Sequence, residues 1–209
     1  MIKVLVADDH PVVREGLKRV IEKDSGMLVA AEAGTSQEVL DRLAAKRPDV
    51  VLLDINMPGR GGLEILQQIK THYPSLPVLV ISMYPEDQYA TRVLRAGAAG
   101  YLTKESAPSQ LVKAIRKVVG GRKYVSPTLA EKLAIDLGSE AQFPHESLSD
   151  REYQVLCLLA SGKTVSEIAD ELSLSIKTIS TYRTRILEKM DLRNNVELAR
   201  YALKHGLVD

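Results

Sequence analysis

Short apolar runs alternate with longer segments of helical periodicity over the first 120 residues. The runs are continuous and rich in Val, Ile and Leu, which is typical of strands buried on both faces of a parallel sheet. They lie at Val4–Ala7, Leu28–Ala31, Val50–Leu53, Val78–Ile81 and Gly100–Leu102. The helical segments lie at Pro11–Glu22, Ser36–Ala45, Gly62–Tyr73, Glu86–Ala96 and Pro108–Val119. Five strand–helix units in succession predict an α/β fold, a doubly wound five-stranded parallel sheet with helices on both faces.

The pattern becomes entirely helical after Gly121. One helix is predicted near Pro127–Leu137, and the Gly-, Ser- and Pro-containing stretch that follows it is typical of a flexible linker. Four more helices fit the remaining sequence, at Asp150–Ala160, Val165–Leu172, Ile176–Met190 and Val196–His205. We therefore predict a first domain over residues 1–121, a linker over 122–146 and an all-α four-helix domain over 147–209.

Several predicted helix starts carry the spacing of a capping box, a hydroxyl residue followed three positions later by Glu. The pairs are Thr35 with Glu38, Ser149 with Glu152 and Thr164 with Glu167. Two reciprocal hydrogen bonds at each pair would hold the first turn of the helix that follows.

Charge and cysteine content narrow the possible classes of function. Residues 1–125 carry 18 Lys and Arg against 14 Asp and Glu, a net charge of +4, whereas residues 126–209 carry 10 against 13, a net charge of −3. Any contact with nucleic acid must therefore come from local placement of charge. The single cysteine, Cys157, excludes a disulfide within the chain and suits a reducing compartment. With no signal-peptide pattern and no apolar stretch of membrane-spanning length, we expect a cytoplasmic protein with no membrane partner.

Polar residues follow the predicted strands at the edge of the sheet where their carboxyl ends meet. Asp8 and Asp9 follow the first strand, Asp54 the third, Ser82 ends the fourth and Lys104 follows the fifth. In open parallel sheets, binding sites collect at this edge. Each residue alone has an ordinary alternative as a solvated turn or cap, but five at successive strand ends predict one crevice.

The residue types in this crevice suit phosphoryl chemistry. Clustered carboxylates repel one another unless a cation joins them, and their oxygens are ligands that Mg²⁺ prefers. The carboxylate of Asp54 can act as a nucleophile, since Mg²⁺ would screen an incoming phosphoryl group from it. Lys104 offers a positive charge, and Ser82 a hydroxyl donor, to the phosphoryl oxygens.

Residues 1–120 resemble a CheY-like receiver domain of the flavodoxin-like fold. The matching motifs are Val6-Ala7-Asp8-Asp9-His10, Asp54-Ile55-Asn56-Met57-Pro58-Gly59, Ile81-Ser82-Met83 and Gly100-Tyr101-Leu102-Thr103-Lys104. The resemblance implies that a sensor histidine kinase phosphorylates Asp54, and that Ser82 and Tyr101 form a switch pair whose aromatic ring turns inward. It also implies a Mg²⁺ site formed by Asp9 and Asp54 side chains, by Asp8 directly or through water, and by the backbone carbonyl of Asn56.

Three residues beside these motifs affect what the resemblance implies about phosphate lifetime. Met83 stands where many receivers have a small residue after the switch hydroxyl. Asn56 and Tyr84 occupy positions that tune phosphate loss in this family. The rates of phosphorylation and hydrolysis therefore do not carry over from relatives.

Two helices joined by the turn Ser173-Leu174-Ser175 match helix-turn-helix spacing in the second half of the chain. On a helical wheel of Ile176–Met190, Ile179, Ile186 and Met190 face the core, with Tyr182 at the flank. The opposite face carries Lys177, Ser180, Thr181, Thr184 and Glu188, with Arg185 at its edge. Residues 176–189 contain four Lys and Arg against one Glu, a local net charge of +3 that favours phosphate. Arg183 falls near the core side of this helix. We expect its aliphatic stem to lie along the apolar surface while its guanidinium reaches out toward the backbone.

Residues 147–209 resemble the LuxR-type helix-turn-helix of the NarL/FixJ family. The matching motifs include Leu148-Ser149-Asp150-Arg151-Glu152, Glu167-Ile168-Ala169, Lys177-Thr178-Ile179 and Lys189-Met190. With Tyr182-Arg183 and His205-Gly206-Leu207, the sequence is most similar to the GacA/UvrY-like subgroup. The resemblance implies DNA contacts near base edges by Lys177, Ser180, Thr181 and Thr184, with Thr178 beside them, and phosphate contacts by Arg183 and Arg185. Ser180 stands where many relatives have Lys or Asn, so their DNA sequence preference does not carry over.

Together the two resemblances imply a response regulator and transcription factor rather than an enzyme. Its phosphorylation on Asp54 would promote homodimerisation, in part through the last helix, and binding to double-stranded promoter DNA, with RNA polymerase as a further partner. Three alternatives stay open: a phosphatase with an aspartyl-phosphate intermediate, a flavin-binding domain, and a binding module independent of phosphorylation. Asn56 cannot supply the second acid that such a phosphatase needs, and the acidic loop after the first strand would repel a flavin phosphate.

Overall fold

A computed structural model describes residues 1–57, 62–127, 129–130 and 143–208 of the chain. It divides into two compact units, residues 1–137 and 138–209. The division falls within the predicted linker. Of the helix predicted at Pro127–Leu137, residues 127, 129 and 130 are helical, and the remainder lies outside the described residues.

The first unit is built on a parallel five-stranded sheet, which confirms the predicted fold class. The strand order is β2-β1-β3-β4-β5. The strands are β1 (Ile2–Ala7), β2 (Met27–Ala33), β3 (Val50–Asp54), β4 (Val78–Ser82) and β5 (Gly100–Thr103). The helices between and after them are α1 (Pro11–Glu22), α2 (Ser36–Lys46), α3 (Gly62–His72), α4 (Glu86–Arg95) and α5 (Ala107–Val119). This order places β1 and β3 side by side at the centre, where every residue of β3 is buried.

Burial on both faces was predicted for all five strands and is wrong for β2. Only the end residues of β2 are buried, and its middle is half-buried. The reason is its edge position, together with a register shift: Val4 pairs with Val29 but Leu5 pairs with Ala31, so Ala30 is an extra residue. A bulge of this kind is one way in which natural sheets blunt an edge strand.

The opposite edge of the sheet is covered by the segment after α5. The backbone N–H of Tyr124 donates to Ala99 at 2.8 Å, and the carbonyl of Tyr124 accepts from Tyr101 at 3.3 Å. A Cβ on Gly100 would lie 2.7 Å from that carbonyl, so only glycine permits this approach. The segment therefore extends the sheet beside β5 and keeps Tyr101 buried.

The second unit is helical, as predicted. A short 3₁₀ helix (Pro144–Ser147) precedes α6 (Asp150–Ala160), α7 (Val165–Glu171), α8 (Ile176–Lys189) and α9 (Asn195–Lys204). The bounds of α6 agree with the prediction, and those of the other three differ by one residue at one or both ends. The start of α9 was missed because its cap is Asn194, whose side chain accepts from the N–H groups of Val196 and Glu197.

Two of the three predicted capping boxes are confirmed. Both hydrogen bonds of the box are present at Ser149 and at Thr164. At Thr35 only half of the box forms, because the carboxylate of Glu38 accepts from the N–H of Gly34 at 2.9 Å instead of from Thr35. Within the described residues, no helix has both the length and the apolar character needed to cross a bilayer.

The capping carboxylate of Glu152 also joins two helices of the second unit. It accepts from the N–H of Ser149 at 2.8 Å and from Nζ of Lys189, at the end of α8, at 2.7 Å. Burial would raise the pKa of Glu152, but the hydrogen bonds with Lys189 and Ser149 outweigh it and hold this pKa below its ordinary value. The ionised form is thus favoured in the folded state.

We expect Glu152→Gln to lower the free energy of unfolding at neutral pH by roughly 1–3 kcal/mol, because a buried charged hydrogen-bond pair is lost. Since the pKa is lower in the folded state, the contribution of Glu152 is complete above its unfolded pKa and disappears as the pH falls through its folded pKa. Denaturant titrations from neutral to acidic pH should therefore show the two proteins converging in acid. Glu167→Gln alters an exposed capping box whose carboxylate is hydrogen-bonded to Thr164, and should cost less; an equal loss would contradict the role of Lys189.

Candidate functional site

The carboxyl ends of β1 and β3 bring two buried carboxylates together at one edge of the sheet. Asp54 ends β3, and Asp8 directly follows Ala7, which pairs with Leu53. Both Asp8 and Asp54 are only 1% exposed. Ionised carboxylates at such burial require a compensating cation or proton.

Lys104, which follows β5, supplies the compensating charge. Its Nζ lies 2.7 Å from Oδ2 of Asp8 and 2.8 Å from Oδ2 of Asp54. The remaining oxygens are also bound: Oδ1 of Asp54 accepts from the N–H of Asn56 at 3.0 Å, and Oδ1 of Asp8 accepts from the N–H of His10 at 2.8 Å. The three predicted residues are thus brought together in one hydrogen-bonded cluster.

Burial and hydrogen bonding act in opposite directions on the ionisation of Asp54 and of Lys104. Burial raises the pKa of Asp54 above its ordinary value, although hydrogen bonds from Lys104 and Asn56 act against it. Burial also lowers the pKa of Lys104, but its hydrogen bonds with Asp54 and Asp8 outweigh this and raise its pKa. Lys104 therefore stays a charged ammonium beside the two buried carboxylates.

A possible cation site lies beside this cluster. Four residues, Asp8, Asp9, His10 and Asp54, each offer one atom that could bind a metal ion. These four atoms all lie within 4.8 Å of one another. Oδ1 of Asp9 is shielded from solvent and makes no hydrogen bond with the described residues, although Nδ1 of His10 lies 2.8 Å away. Three carboxylates, one with an unsatisfied oxygen, fit a hard divalent cation such as Mg²⁺. Sequence reasoning missed His10, although it directly follows the two acids.

Ser82 and Tyr101 meet at the backbone of one residue in the loop after β4. Oγ of Ser82 accepts from the N–H of Tyr84 at 3.1 Å, and the hydroxyl of Tyr101 donates to the carbonyl of Tyr84 at 2.8 Å. Ser82 and Tyr101 are fully buried, so the ring of Tyr101 points inward. Burial raises the pKa of Tyr101, which keeps its hydroxyl protonated as a donor. Sequence reasoning had given Tyr84 only a role in phosphate loss; the structure also makes it the link between the predicted switch residues.

Met83 lies between these buried groups and is 70% exposed. The structure therefore directs its bulky side chain to solvent instead of into the core. The ring of Tyr84 stacks on that of Tyr89 in α4, with centroids 5.0 Å apart.

The second candidate site is the exposed face of α8. Ile179 and Ile186 are fully buried and Met190 is 5% exposed, which confirms the predicted core side of this helix. The exposed residues on the other side are Lys177, Ser180, Thr181, Thr184, Arg185 and Glu188. The N-terminal part of this face lines a shallow groove that is formed by Ser175, Lys177, Thr178, Thr181, Tyr182 and Arg185.

Several of the polar side chains on α8 are engaged within the protein. The hydroxyls of Thr181 and Thr184 donate to the carbonyls of Lys177 and Ser180 one turn earlier. Thr178 is half-buried beside the capping residue Ser175, their hydroxyl oxygens 2.8 Å apart. Hydroxyls bonded in this way still have lone pairs that accept hydrogen bonds from a ligand.

Family models match both units of the chain. The response regulator receiver domain matches residues 4–116, and the luxR family of bacterial regulatory proteins matches residues 146–202. The chain belongs to the response regulators that carry a LuxR-type DNA-binding domain. This membership confirms the predicted family, and receivers as a class bind Mg²⁺ at an acidic pocket such as the one described above.

Relatives of this response regulator match over its whole length. It is 43% identical to response regulator GacA of Pseudomonas aeruginosa over 211 residues, which cover 100% of this chain and 99% of that one. It is 37% identical to response regulator UvrY of Escherichia coli K12, over 99% of this chain and 96% of that one. These two similarities agree with the predicted subgroup.

Solved structures of RcsB are similar to this response regulator in fold. One from Salmonella typhimurium has a TM-score of 0.66 and 32% identity, and covers 96% of each chain. Another, RcsB of Salmonella enterica serovar Typhimurium bound to promoter P1flhDC with the phosphomimetic BeF₃⁻, has a TM-score of 0.60 and 31% identity over 96% of this chain and 97% of that one.

The position of Lys104 between two buried carboxylates predicts a specific dependence of stability on divalent cations. We expect Lys104→Gln to lower the free energy of unfolding by roughly 3 kcal/mol, because Asp8 and Asp54 are left as uncompensated buried charges. Added Mg²⁺ should restore more stability to the variant than to the wild type, as measured by denaturant unfolding. Lys46→Gln removes an exposed lysine and should change stability by less than about 0.5 kcal/mol. A Lys104 variant as stable as the Lys46 variant would contradict the assigned charge balance.

Proposed function

We propose that this response regulator is a cytoplasmic transcription factor whose Asp54 is phosphorylated by a sensor histidine kinase. Phosphorylation promotes homodimerisation and sequence-specific binding to promoter DNA, where the dimer acts on RNA polymerase. The observation that carries the proposal is the buried cluster of Asp54, Asp8 and Lys104, with Asp9 beside it.

The geometry supports Asp54 as the phosphoacceptor. One oxygen of its carboxylate attacks phosphorus as the bond from phosphorus to the donor's histidine nitrogen breaks. Asp8, Asp9, Asp54 and the carbonyl of Asn56 would hold Mg²⁺, which when bound screens the charge of the phosphoryl group. Lys104 already lies 2.8 Å from the acceptor carboxylate, so its ammonium can move to the phosphoryl oxygens with little displacement.

The same geometry supports a route from the phosphoryl group to the surface of the receiver. A phosphoryl oxygen would compete with the N–H of Tyr84 for the hydroxyl of Ser82. Because Tyr101 bonds to the carbonyl of Tyr84 and the ring of Tyr84 stacks on Tyr89, a change at Ser82 would alter the contact with α4. Phosphorylation would thereby shift an equilibrium between two arrangements of this loop.

The exposed face of α8 is the proposed reader of DNA. Lys177 and Arg185 bring positive charge, and the hydroxyls of Ser180, Thr181 and Thr184 can bond to base edges directly or through water. The match of residues 146–202 to the luxR family supports a DNA site in this half of the chain, and RcsB, which has a similar fold, has been solved bound to promoter P1flhDC.

Self-association of the second unit is supported by an apolar stripe on α9. Val196 and Leu203 lie seven residues apart on one face of the helix and are 77% and 56% exposed. A second copy would bury this stripe, and a two-fold pair would read two half-sites.

Asp54→Asn is expected to abolish phosphorylation, because an amide oxygen is a poor nucleophile. With acetyl phosphate and Mg²⁺, intact-protein mass spectrometry should show the added phosphoryl mass on the wild type and not on the variant. DNA affinity should rise with acetyl phosphate only for the wild type. Asp41→Asn alters an exposed carboxylate and should behave as the wild type. DNA affinity that does not depend on phosphorylation would instead support the constitutive binding module.

Arg185→Ala is expected to weaken DNA binding by removing one phosphate contact. The slope of log affinity against log salt concentration should fall in magnitude by about one. Fluorescence anisotropy on a DNA duplex selected with the phosphorylated protein measures this slope. Lys204→Ala, on the exposed part of α9, should leave the slope unchanged, and equal effects of both variants would argue against α8 as the reader.

A further inference from the structure

Arg183 differs from the other cations near the reading face of α8. Lys177 and Arg185 are exposed, whereas Arg183 is half-buried. Its Nε donates to Oδ1 of Asn195 at 2.6 Å. Asn195 is the first residue of α9, so this hydrogen bond joins the proposed reading helix to the helix that carries the exposed apolar stripe.

The turn between these helices leaves Asn195 available for this contact. Asp191 adopts a left-handed conformation with a φ of 53° just after α8. Asn194, not Asn195, caps α9, and Glu197 accepts from the N–H of Arg193 at 2.8 Å. Because local groups satisfy the start of α9, the amide oxygen of Asn195 can face Arg183.

We propose that Arg183 is a positioning residue that fixes the angle between α8 and α9 and does not contact a DNA phosphate. A charged guanidinium bonded through Nε to a neutral amide is held in one plane, which restricts rotation of one helix against the other. The consequence for DNA rests on the proposed function. If two copies associate through Val196 and Leu203, this bond sets how the two α8 helices are presented, and with it the spacing of half-sites that the dimer accepts.

The rival role, a phosphate contact, predicts a different pattern of loss. A phosphate contact depends on the charge of Arg183 and is independent of Asn195. A positioning role depends on both partners, so removal of either should have the same effect and removal of both should add little.

The test uses the full-length protein with Arg183→Gln, Asn195→Ala, the double variant and Arg185→Gln as the exposed control. The probes are a duplex selected with the wild-type protein and the same duplex with one half-site scrambled. We expect Arg183→Gln and Asn195→Ala each to lose roughly three- to tenfold in affinity for the two-half-site duplex, the size of one lost hydrogen bond. The double variant should lose no more than either single one. The affinity for the duplex with one scrambled half-site should fall by a smaller factor in each variant.

Salt dependence separates the two roles. Asn195→Ala and Arg183→Gln should leave the salt slope unchanged, whereas Arg185→Gln should reduce its magnitude by about one. Asn195→Asp keeps an acceptor for Nε and should restore two-half-site affinity. A further loss of affinity and slope when Arg183→Gln is added to Asn195→Ala would overturn the proposal.

A readout without DNA keeps this test separate from the proposed function. The wild type, Arg183→Gln, Asn195→Ala and the double variant form a double-mutant cycle. If the two side chains interact, the effects of the two substitutions on the free energy of unfolding should be non-additive. Additive unfolding effects would refute the positioning contact itself. Non-additive unfolding without specific DNA binding would leave the contact intact and refute the proposed function.

Discussion

The receiver unit depends on the repulsion between two carboxylates that the parallel sheet brings together, and on the lysine that partly offsets it. Asp8 and Asp54 lie at the carboxyl ends of adjacent central strands and have almost no access to solvent, so their repulsion cannot be relieved by water. The single ammonium group of Lys104 pairs with both carboxylates and offsets one of their two negative charges, which leaves a net negative charge suited to a cation. The same ammonium group could also stabilise the additional negative charge that a phosphoryl group would bring to Asp54. In the proposed function, the interaction that stabilises this crevice is also the one that prepares it for a phosphoryl group.

Much of this arrangement could be predicted from the sequence because strand ends and residue types are local signals. Apolar runs located the strands to within a few residues, and the parallel order then placed their carboxyl ends at one edge. The position of Lys104 between Asp8 and Asp54 could not be predicted, since it depends on how the β5–α5 turn brings the side chain back across the sheet. Ser82 and Tyr101 were predicted to form a switch pair, but their common contact with the backbone of Tyr84, which donates to Ser82 and accepts from Tyr101, was not predicted.

The helical unit shows the same division between local and tertiary information. The periodicity of α8 predicted its core face, and capping residues predicted two helix starts. The half-buried state of Arg183 followed from the wheel, but its bond to Asn195 required the path of the turn between α8 and α9. Glu152 similarly was predicted as a cap and serves in addition as the partner of Lys189. In both cases a polar contact connects α8 to the first turn of a neighbouring helix. The orientation of α8 is therefore fixed by these two contacts as well as by its buried apolar residues.

A crystal structure of the protein with Mg²⁺ and beryllofluoride tests the central claim most directly, since beryllofluoride stands in for a phosphoryl group on a carboxylate. We expect the adduct on Asp54, the cation bound by the neighbouring carboxylates, and Nζ of Lys104 moved from the Asp54 oxygen to a fluorine atom. An adduct on another carboxylate, or a Lys104 that stays paired with Asp54 beside an empty crevice, would contradict the account.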